Sequence, residues 1–185
     1  MAKAVYVSKT VEIPEGVDIS IDGYKVKVSG PKGVLERDFS HARKIIIRKE
    51  DNKIVVESYF ASRREKALVG TIAAHIRNMI RGVTKGYRYK LKIVFSHFPI
   101  SVEVDEKQRI VRIKNFLGEK ADRIAKIVGD DVKVYVKGED VIVEGIDKEH
   151  VGQTAANIEL ATKVKDKDRR VFADGIYIYD WGEEE

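Results

Sequence analysis

Cysteine is absent from the 185-residue sequence. Without thiols the protein can form no disulfide, and it can have neither a cysteine nucleophile nor a cysteine-ligated zinc site. Such a composition fits a reducing compartment, and we expect a cytoplasmic protein. Long hydrophobic runs are absent too. No apolar stretch approaches the ~18 residues of a membrane-spanning helix, and residues 1–10 do not resemble a signal peptide. We expect no membrane association.

Catalytic and metal-binding motifs are also missing. The histidines are scattered and form no His-x-x-x-His pair of metal ligands. There is no Gly-x-Ser-x-Gly nucleophile motif and no glycine-rich phosphate loop before a helix. We therefore expect no enzyme, no metal, no cofactor and no small-molecule substrate. His75 lies near the apolar face of a predicted helix and is interpreted as a structural residue.

One helical segment occurs twice. Val69–Ile76 returns as Val151–Ile158, a shift of 82 residues, and five of the eight positions are identical. Each copy has apolar residues at i, i+3, i+4 and i+7, the spacing of an amphipathic helix. The glycine and the paired alanines predict that a sheet or helix approaches closely, with Ala74 and Ala156 facing it.

The flanking segments also repeat. Ile13-Pro14 corresponds to Phe98-Pro99, and the alternating segment 17–28 corresponds to 102–113. The sequence therefore predicts an α+β fold with two tandem similar domains, residues 1–94 and 95–185. Each is an antiparallel β-sheet packed with one main helix, and the two derive from an internal duplication. Residues 121–128 have helical spacing, but the repeat favours a strand there.

Two local motifs concern the first domain. Ser62 and Glu65 form a predicted capping box at the start of its helix, and residues 1–10 are expected to be a loosely held arm. The Gly30-Pro31-Lys32-Gly33 segment fits the Gly-x-x-Gly loop by which KH domains clamp nucleic acid. A proline-containing turn between two strands is the preferred interpretation.

The charge is positive overall and unevenly distributed. The formal net charge is +5, which suggests a polyanionic partner. Residues 1–94 carry 20 Lys/Arg against 10 Asp/Glu, whereas residues 95–185 carry 15 against 20. Any RNA contact in the second domain must therefore be a local patch.

Two cationic clusters are candidate RNA contacts. The first contains no acidic residue and is expected to form one positive surface on the first domain; its members are Arg77, Arg81, Lys85, Arg88, Lys90 and Lys92. A solvated face with buried tyrosines is the alternative. The second is the only cationic cluster in the acidic half and lies between a helix and the last strand; its members are Lys163, Lys165, Lys167, Arg169 and Arg170. A plain solvated loop is the alternative there.

Several motifs occur in an order that resembles one protein family across nearly the whole chain. They are His97-Phe98-Pro99-Ile100, Asn115-Phe116-Leu117-Gly118-Glu119-Lys120, Val164-Lys165-Asp166-Lys167-Asp168 and Asp174-Gly175-Ile176-Tyr177. In the first domain, residues 30–33 and 77–86 match as well. The chain thus closely resembles the L-six family of large-subunit ribosomal proteins, in its archaeal and eukaryotic branch, called L-nine in eukaryotes.

The resemblance implies two similar domains and a place in the large ribosomal subunit, near the sarcin–ricin loop and the base of the factor-binding stalk. It implies large-subunit rRNA and neighbouring ribosomal proteins as partners. The second domain would be the main rRNA anchor, through the 163–170 cluster, with Asn115 and Lys120 as further candidates. The rival hypothesis is a free-standing RNA-binding regulatory module of KH-like type. The sequence leaves open whether Tyr177, Tyr179 and Trp181 face RNA, protein or core.

Overall fold

The computed structural model describes residues 4–168 and 170–183 and divides the chain into two compact units, Met1–Lys85 and Gly86–Glu185. Within the described residues, no helix is long and apolar enough to cross a membrane. The sequence predicts the boundary after residue 94, whereas the structure has it after Lys85. With that boundary, the first unit carries 17 Lys/Arg against 10 Asp/Glu and the second 18 against 20.

The first unit consists of two three-stranded antiparallel sheets and one helix. Its elements are β1 (Ala4–Glu12), β2 (Asp18–Asp22), β3 (Lys25–Gly30), β4 (Gly33–Asp38), β5 (Ile46–Glu50), β6 (Lys53–Ala61) and α1 (Arg63–Thr84). The strand orders are β2-β3-β4 and β1-β6-β5. Residues 4–10 are therefore part of a strand paired with β6, and not a loose arm.

Helix α1 forms because its apolar residues share one face and its N-terminus is capped. The Glu65 carboxylate accepts a hydrogen bond of 2.8 Å from the Ser62 backbone N–H, as the capping box predicts. The predicted apolar stripe is buried against both sheets; it comprises Val69, Ile72, Ala73, Ile76, Met79 and Ile80, with Leu68 partly buried beside it. Ala74 is exposed, so the prediction that it faces the sheet is wrong.

The second unit has the same plan with one extra strand. Its elements are β7 (Tyr87–Val94), β8 (Ser101–Asp105), β9 (Ile110–Lys114), a 3₁₀ turn (Phe116–Gly118), β10 (Arg123–Lys126), β11 (Lys133–Lys137), β12 (Asp140–Gly145), α2 (Lys148–Ala161) and β13 (Gly175–Glu183). A three-stranded antiparallel sheet has the order β10-β9-β8, and a four-stranded one has the order β11-β12-β7-β13. Residues 123–126 are a strand, as the repeat predicts.

The matching strand orders confirm the tandem duplicated fold. The order β1-β6-β5 of the first unit corresponds to β7-β12-β11 of the second, and β2-β3-β4 corresponds to β8-β9-β10. Strand β7 is thus the second unit's counterpart of β1, which explains why the domain boundary lies before it. The remaining strand, β13, pairs with the free side of β7.

The Gly30-Pro31-Lys32-Gly33 segment is the turn of the β3–β4 hairpin, in which Gly30 pairs with Gly33. The preferred interpretation is therefore confirmed. The backbone N–H of Lys32 donates to the Val83 carbonyl, near the end of α1, at 2.9 Å. A Cβ on Gly30 would lie 2.6 Å from Val83 Cγ2 and 2.8 Å from its carbonyl oxygen. Glycine is required here because the hairpin touches the helix end.

Candidate nucleic-acid interface

The segment between α2 and β13 presents its cations to solvent on a short anchored loop. The side chains of Lys163, Lys165, Lys167 and Arg170 are exposed, while Val164 between them is buried. Arg169, the remaining predicted contact, lies outside the described residues. The alternation of lysine with buried valine directs the first two lysines away from the core.

Backbone hydrogen bonds give this loop a defined shape. The Asp168 carbonyl accepts from the N–H groups of Val171 at 3.1 Å and Phe172 at 2.9 Å. Its carboxylate accepts from the N–H of Arg170 at 2.9 Å. At the base of the loop, the buried Thr162 hydroxyl accepts from the Ile176 N–H at 2.9 Å. The cations therefore project from a closed turn that α2 and β13 hold at both ends.

An aromatic stack supports the loop from below. The ammonium of Lys167 lies 4.9 Å from the centroid of the Phe172 ring, a cation–π distance. The Phe172 ring in turn stacks on His97, with centroids 4.6 Å apart. His97 Nδ1 is 2.9 Å from a carboxylate oxygen of the fully buried Asp174. Asp174 also accepts from the backbone N–H groups of Ser96 and His97.

The environment of Asp174 favours its ionised form. Burial alone would raise the pKa of this carboxyl, but the hydrogen bonds from His97 and from the Ser96 and His97 backbone outweigh that effect. The pKa of Asp174 consequently lies below its ordinary value. An ionised, fully hydrogen-bonded carboxylate thus fixes the start of β13 to the segment after β7.

Arg123 positions the other side of the loop, and sequence reasoning did not find it. Its guanidinium donates to the Ala161 and Lys163 carbonyls at 3.0 Å each, and it pairs with both oxygens of Glu119. It also lies 4.4 Å from the Phe116 ring centroid. The pKa of Glu119 is lowered, mainly by the hydrogen bonds from Arg123 and further by the charge of Lys165. The only local signal is the spacing of Glu119 and Arg123.

Of the two further candidates, Lys120 is exposed, whereas Asn115 has a role within the chain. The Asn115 side-chain amide donates to the Pro99 carbonyl at 3.0 Å, and its backbone is left-handed with φ 57°. Phe98 lies against Gly118, where an added Cβ would come within 3.3 Å of the ring. The motif that begins at Asn115 therefore packs against the one that begins at His97.

The first cationic cluster is divided between the two units. Arg77 and Arg81 are exposed in the second half of α1, and the exposed Lys85 is its C-cap residue; the three are four residues apart and thus lie on one side of the helix. Arg88, Lys90 and Lys92 belong to β7 in the second unit. The prediction of one positive surface on the first domain is wrong, because β7 pairs with β12 and β13.

The three cations of β7 also have acidic partners. Arg88 is 2.6 Å from Glu144, Lys90 is 2.9 Å from Asp180, and Lys92 is 3.2 Å from Glu139 and 3.5 Å from Asp140. Hydrogen bonds from Asp180 and Glu139 raise the pKa values of Lys90 and Lys92. These acidic partners lie far away in the sequence. The sequence near β7 therefore contains positive charges without nearby negative ones.

Two further features concern side chains outside the loop. Within residues 4–168 and 170–183, no cluster of histidine and carboxylate side chains has an arrangement that could hold a metal ion. His150 instead contacts Asp131 at 2.7 Å. The aromatics of β13 are not core residues: Tyr179 is 55 % exposed and Trp181 67 % exposed, and Tyr177 is also exposed.

Comparison with known proteins identifies the family. The model of the family "Ribosomal protein L6" matches residues 13–86 and again residues 98–175. The chain is 76 % identical over 185 residues to the large ribosomal subunit protein uL6 of Staphylothermus marinus, covering all of both chains. It is 69 % identical over 180 residues to that of Aeropyrum pernix, covering 97 % of each chain, and 65 % identical over 183 residues to that of Desulfurococcus amylolyticus, covering 99 % of each. The chain belongs to the ribosomal protein L6 family, a family of structural ribosomal proteins and not of enzymes.

Proposed function

We propose that this protein is a structural constituent of the large ribosomal subunit, in the cytoplasm, and that it binds large-subunit rRNA near the sarcin–ricin loop and the base of the stalk. The loop of residues 163–170 is its main contact in the second unit. The names of the relatives support the large subunit. One observation supports the rRNA contact: the loop exposes lysines and an arginine on a turn. That turn is held in place at both ends and by an aromatic stack.

Charge explains why this loop would be the contact. The second unit has more acidic than basic residues overall. Its net negative charge therefore repels RNA phosphates outside local basic patches. Exposed lysines and arginines on the loop displace counterions from RNA, and this release favours binding. Because α2 and β13 fix its ends, little conformational entropy is lost when the loop meets a groove.

Recognition would rest mainly on the shape of the RNA and the path of its phosphates. Lysine side chains make point-charge contacts and do not read base edges in a fixed plane. Double-stranded RNA is recognised largely in this way. The exposed Lys120 extends the same contact. The helical cations Arg77, Arg81 and Lys85 are a second candidate contact, on the first unit.

The cations of β7 are weaker candidates because carboxylates compete with phosphate for them. Arg88, Lys90 and Lys92 would each exchange a protein partner for an RNA one. The gain in binding is then the difference between two ion pairs. These residues remain predicted contacts, with a smaller expected effect than the loop.

The rival hypothesis, a free-standing KH-like regulator, has less support. In KH domains the Gly-x-x-Gly loop clamps the nucleic-acid backbone; here the corresponding residues form a hairpin turn between β3 and β4. The partners that we propose are large-subunit rRNA and neighbouring ribosomal proteins, without membrane, cofactor or small-molecule substrate.

Co-sedimentation tests the proposed function. Cell extract in high-magnesium buffer is separated on a sucrose gradient, and the protein is followed by immunoblot. We expect it in the large-subunit fraction and in whole ribosomes, and we expect it to remain there through a second gradient. A free regulator would stay in the light fractions at the top, and that distribution would contradict the proposal.

A further inference from the structure

The far end of the β1–β6 ribbon in the first unit has aromatic side chains without a covering layer. Tyr6 pairs with Tyr59 across the two strands, and their ring centroids are 5.2 Å apart. Tyr59 is 55 % exposed, Phe60 71 % and Val5 70 %. The loop and helix sites described above do not include these residues. Four large apolar side chains therefore face solvent at the place where β6 leads into α1.

The backbone of Phe60 makes its exposure notable. Its φ of 50° lies in the left-handed region, which is unfavourable for a bulky aromatic residue. Burial does not offset this conformation, because the ring is mostly in solvent. Strained non-glycine residues tend to occur at binding sites. The exposed Phe60 ring is therefore available to stack on a planar group of a binding partner.

The unpaired charges near this end of the ribbon are positive, because the nearby acid Glu57 is already paired. Glu57 is almost fully buried, and it accepts a 2.6 Å hydrogen bond from the Tyr6 hydroxyl and pairs with Arg48 at 3.1 Å. Arg63 and Arg64 begin α1, with only two residues between Phe60 and the start of the helix, and both are exposed. Across the parts of the chain that the structure describes, neither arginine has a carboxylate partner.

We propose that this end of the ribbon binds a single-stranded segment of RNA, with an unpaired base stacked on Phe60 and nearby phosphates on Arg63 and Arg64. Base stacking on exposed aromatics beside cations is the usual mode of single-strand binding. An apolar protein partner would use the rings but would leave two arginine charges unmatched. The inference rests on the proposed function and adds a further, chemically different RNA site.

Ultraviolet cross-linking tests the site in the assembled particle. Large subunits that contain the full-length protein are irradiated and digested with nuclease and protease, and its peptides are analysed by mass spectrometry. We expect a nucleotide adduct on the peptide that carries Tyr59 and Phe60. Adducts on the 163–170 peptides without one on this peptide would overturn the stacking site alone. A protein that is absent from the particles would overturn the proposed function as well.

Substitutions at Phe60 distinguish a base stack from an apolar protein contact. Phe60→Leu keeps the apolar bulk and removes the π face, so binding to large-subunit rRNA should weaken by about 5- to 150-fold. Phe60→Trp should bind as the wild type does. Phe60→Gly should bind weakly yet unfold at a higher temperature, because glycine suits φ 50°. Wild-type affinity of the leucine variant would overturn the proposal. Val34→Ala, at another exposed apolar residue, is the control and should change nothing.

Discussion

His97 and Asp174 are joined by a contact of 2.9 Å that links the segment after β7 to the start of β13, 77 residues apart. The same histidine stacks on Phe172, which lies under Lys167. One buried carboxylate thus positions the base of the cationic loop. The link has consequences for stability that can be measured separately from RNA binding.

Asp174→Asn should destabilise the second unit by about 1–3 kcal/mol, because an amide cannot accept from all of the donors that the carboxylate serves. The folded-state pKa of Asp174 lies below the ordinary value. Its contribution is therefore present in full above the unfolded-state pKa of about 3.9 and is lost as the pH falls through the folded-state pKa. Denaturant unfolding of both proteins from neutral to acid pH measures this, and equal stabilities at neutral pH would contradict the account.

His150 should make the second unit less stable as the pH rises. Burial lowers the pKa of this imidazole, but the Asp131 hydrogen bond and the charges of Asp147, Asp131 and Glu149 outweigh burial, so the pKa is raised. A group with a raised folded-state pKa stabilises fully below its unfolded-state pKa, about 6.5, and loses that contribution as the pH rises through the folded-state value.

The measurement is the free energy of unfolding of the wild type and of His150→Gln across this pH range. The difference between the two proteins should shrink with increasing pH. A constant difference would show that the protonated histidine adds no stability.

Two adjacent alanines in α1 should respond differently to the same substitution. Ala73 is 2 % exposed in the core, whereas Ala74 is exposed. Ala73→Leu should cost about 1–3 kcal/mol through overpacking, and Ala74→Leu should stay within about 0.5 kcal/mol of the wild type. Thermal unfolding of both variants measures the difference. Similar losses of stability in the two variants would show that the buried face of α1 is assigned incorrectly.

Gly30→Ala should destabilise the first unit by about 1–3 kcal/mol, because the new methyl group would overlap the Val83 side chain and carbonyl. Gly182→Ala is the matched control, since nothing lies within 4 Å of the position of its Cβ. Denaturant midpoints measure both. A Gly30→Ala protein as stable as the wild type would show that the hairpin and the helix end can separate without cost.

Local pattern predicted much of this fold. The helical spacing of the two Val-Gly…Ala-Ala…Ile segments and the apolar stripe of α1 agree with the structure, although Ala74 does not face the sheet. These features depend on residues close together in the chain. The duplication allows one half to be compared with the other. That comparison predicts the strand at residues 123–126, where the local spacing alone would indicate a helix.

Long-range pairing could not be predicted in the same way. The alternation in β7 indicates a strand but not its neighbours, and Arg88 meets Glu144 only because β12 lies beside it, 56 residues on. For the same reason the domain boundary and the balance of charge on β7 differ from prediction. Arg123 was missed because its carbonyl partners at residues 161 and 163 are distant in sequence.

The central claim is that the loop of residues 163–170 binds rRNA through its charges, and the salt dependence of binding tests it most directly. Affinity for a large-subunit rRNA fragment is measured over a range of salt concentrations for three proteins. The first is the wild type. The second is a triple variant that combines Lys165→Ala, Lys167→Ala and Arg170→Ala. The third is a control in which three exposed lysines elsewhere, Lys126, Lys133 and Lys137, are replaced by alanine.

Each lost phosphate contact should reduce the slope of log K against log salt by about 0.7–0.9. We expect the loop variant to bind with a slope flatter by about 2–3 units, and the control, which loses the same charge, to keep the wild-type slope. A wild-type slope for the loop variant, or an equal flattening in the control, would contradict the claim.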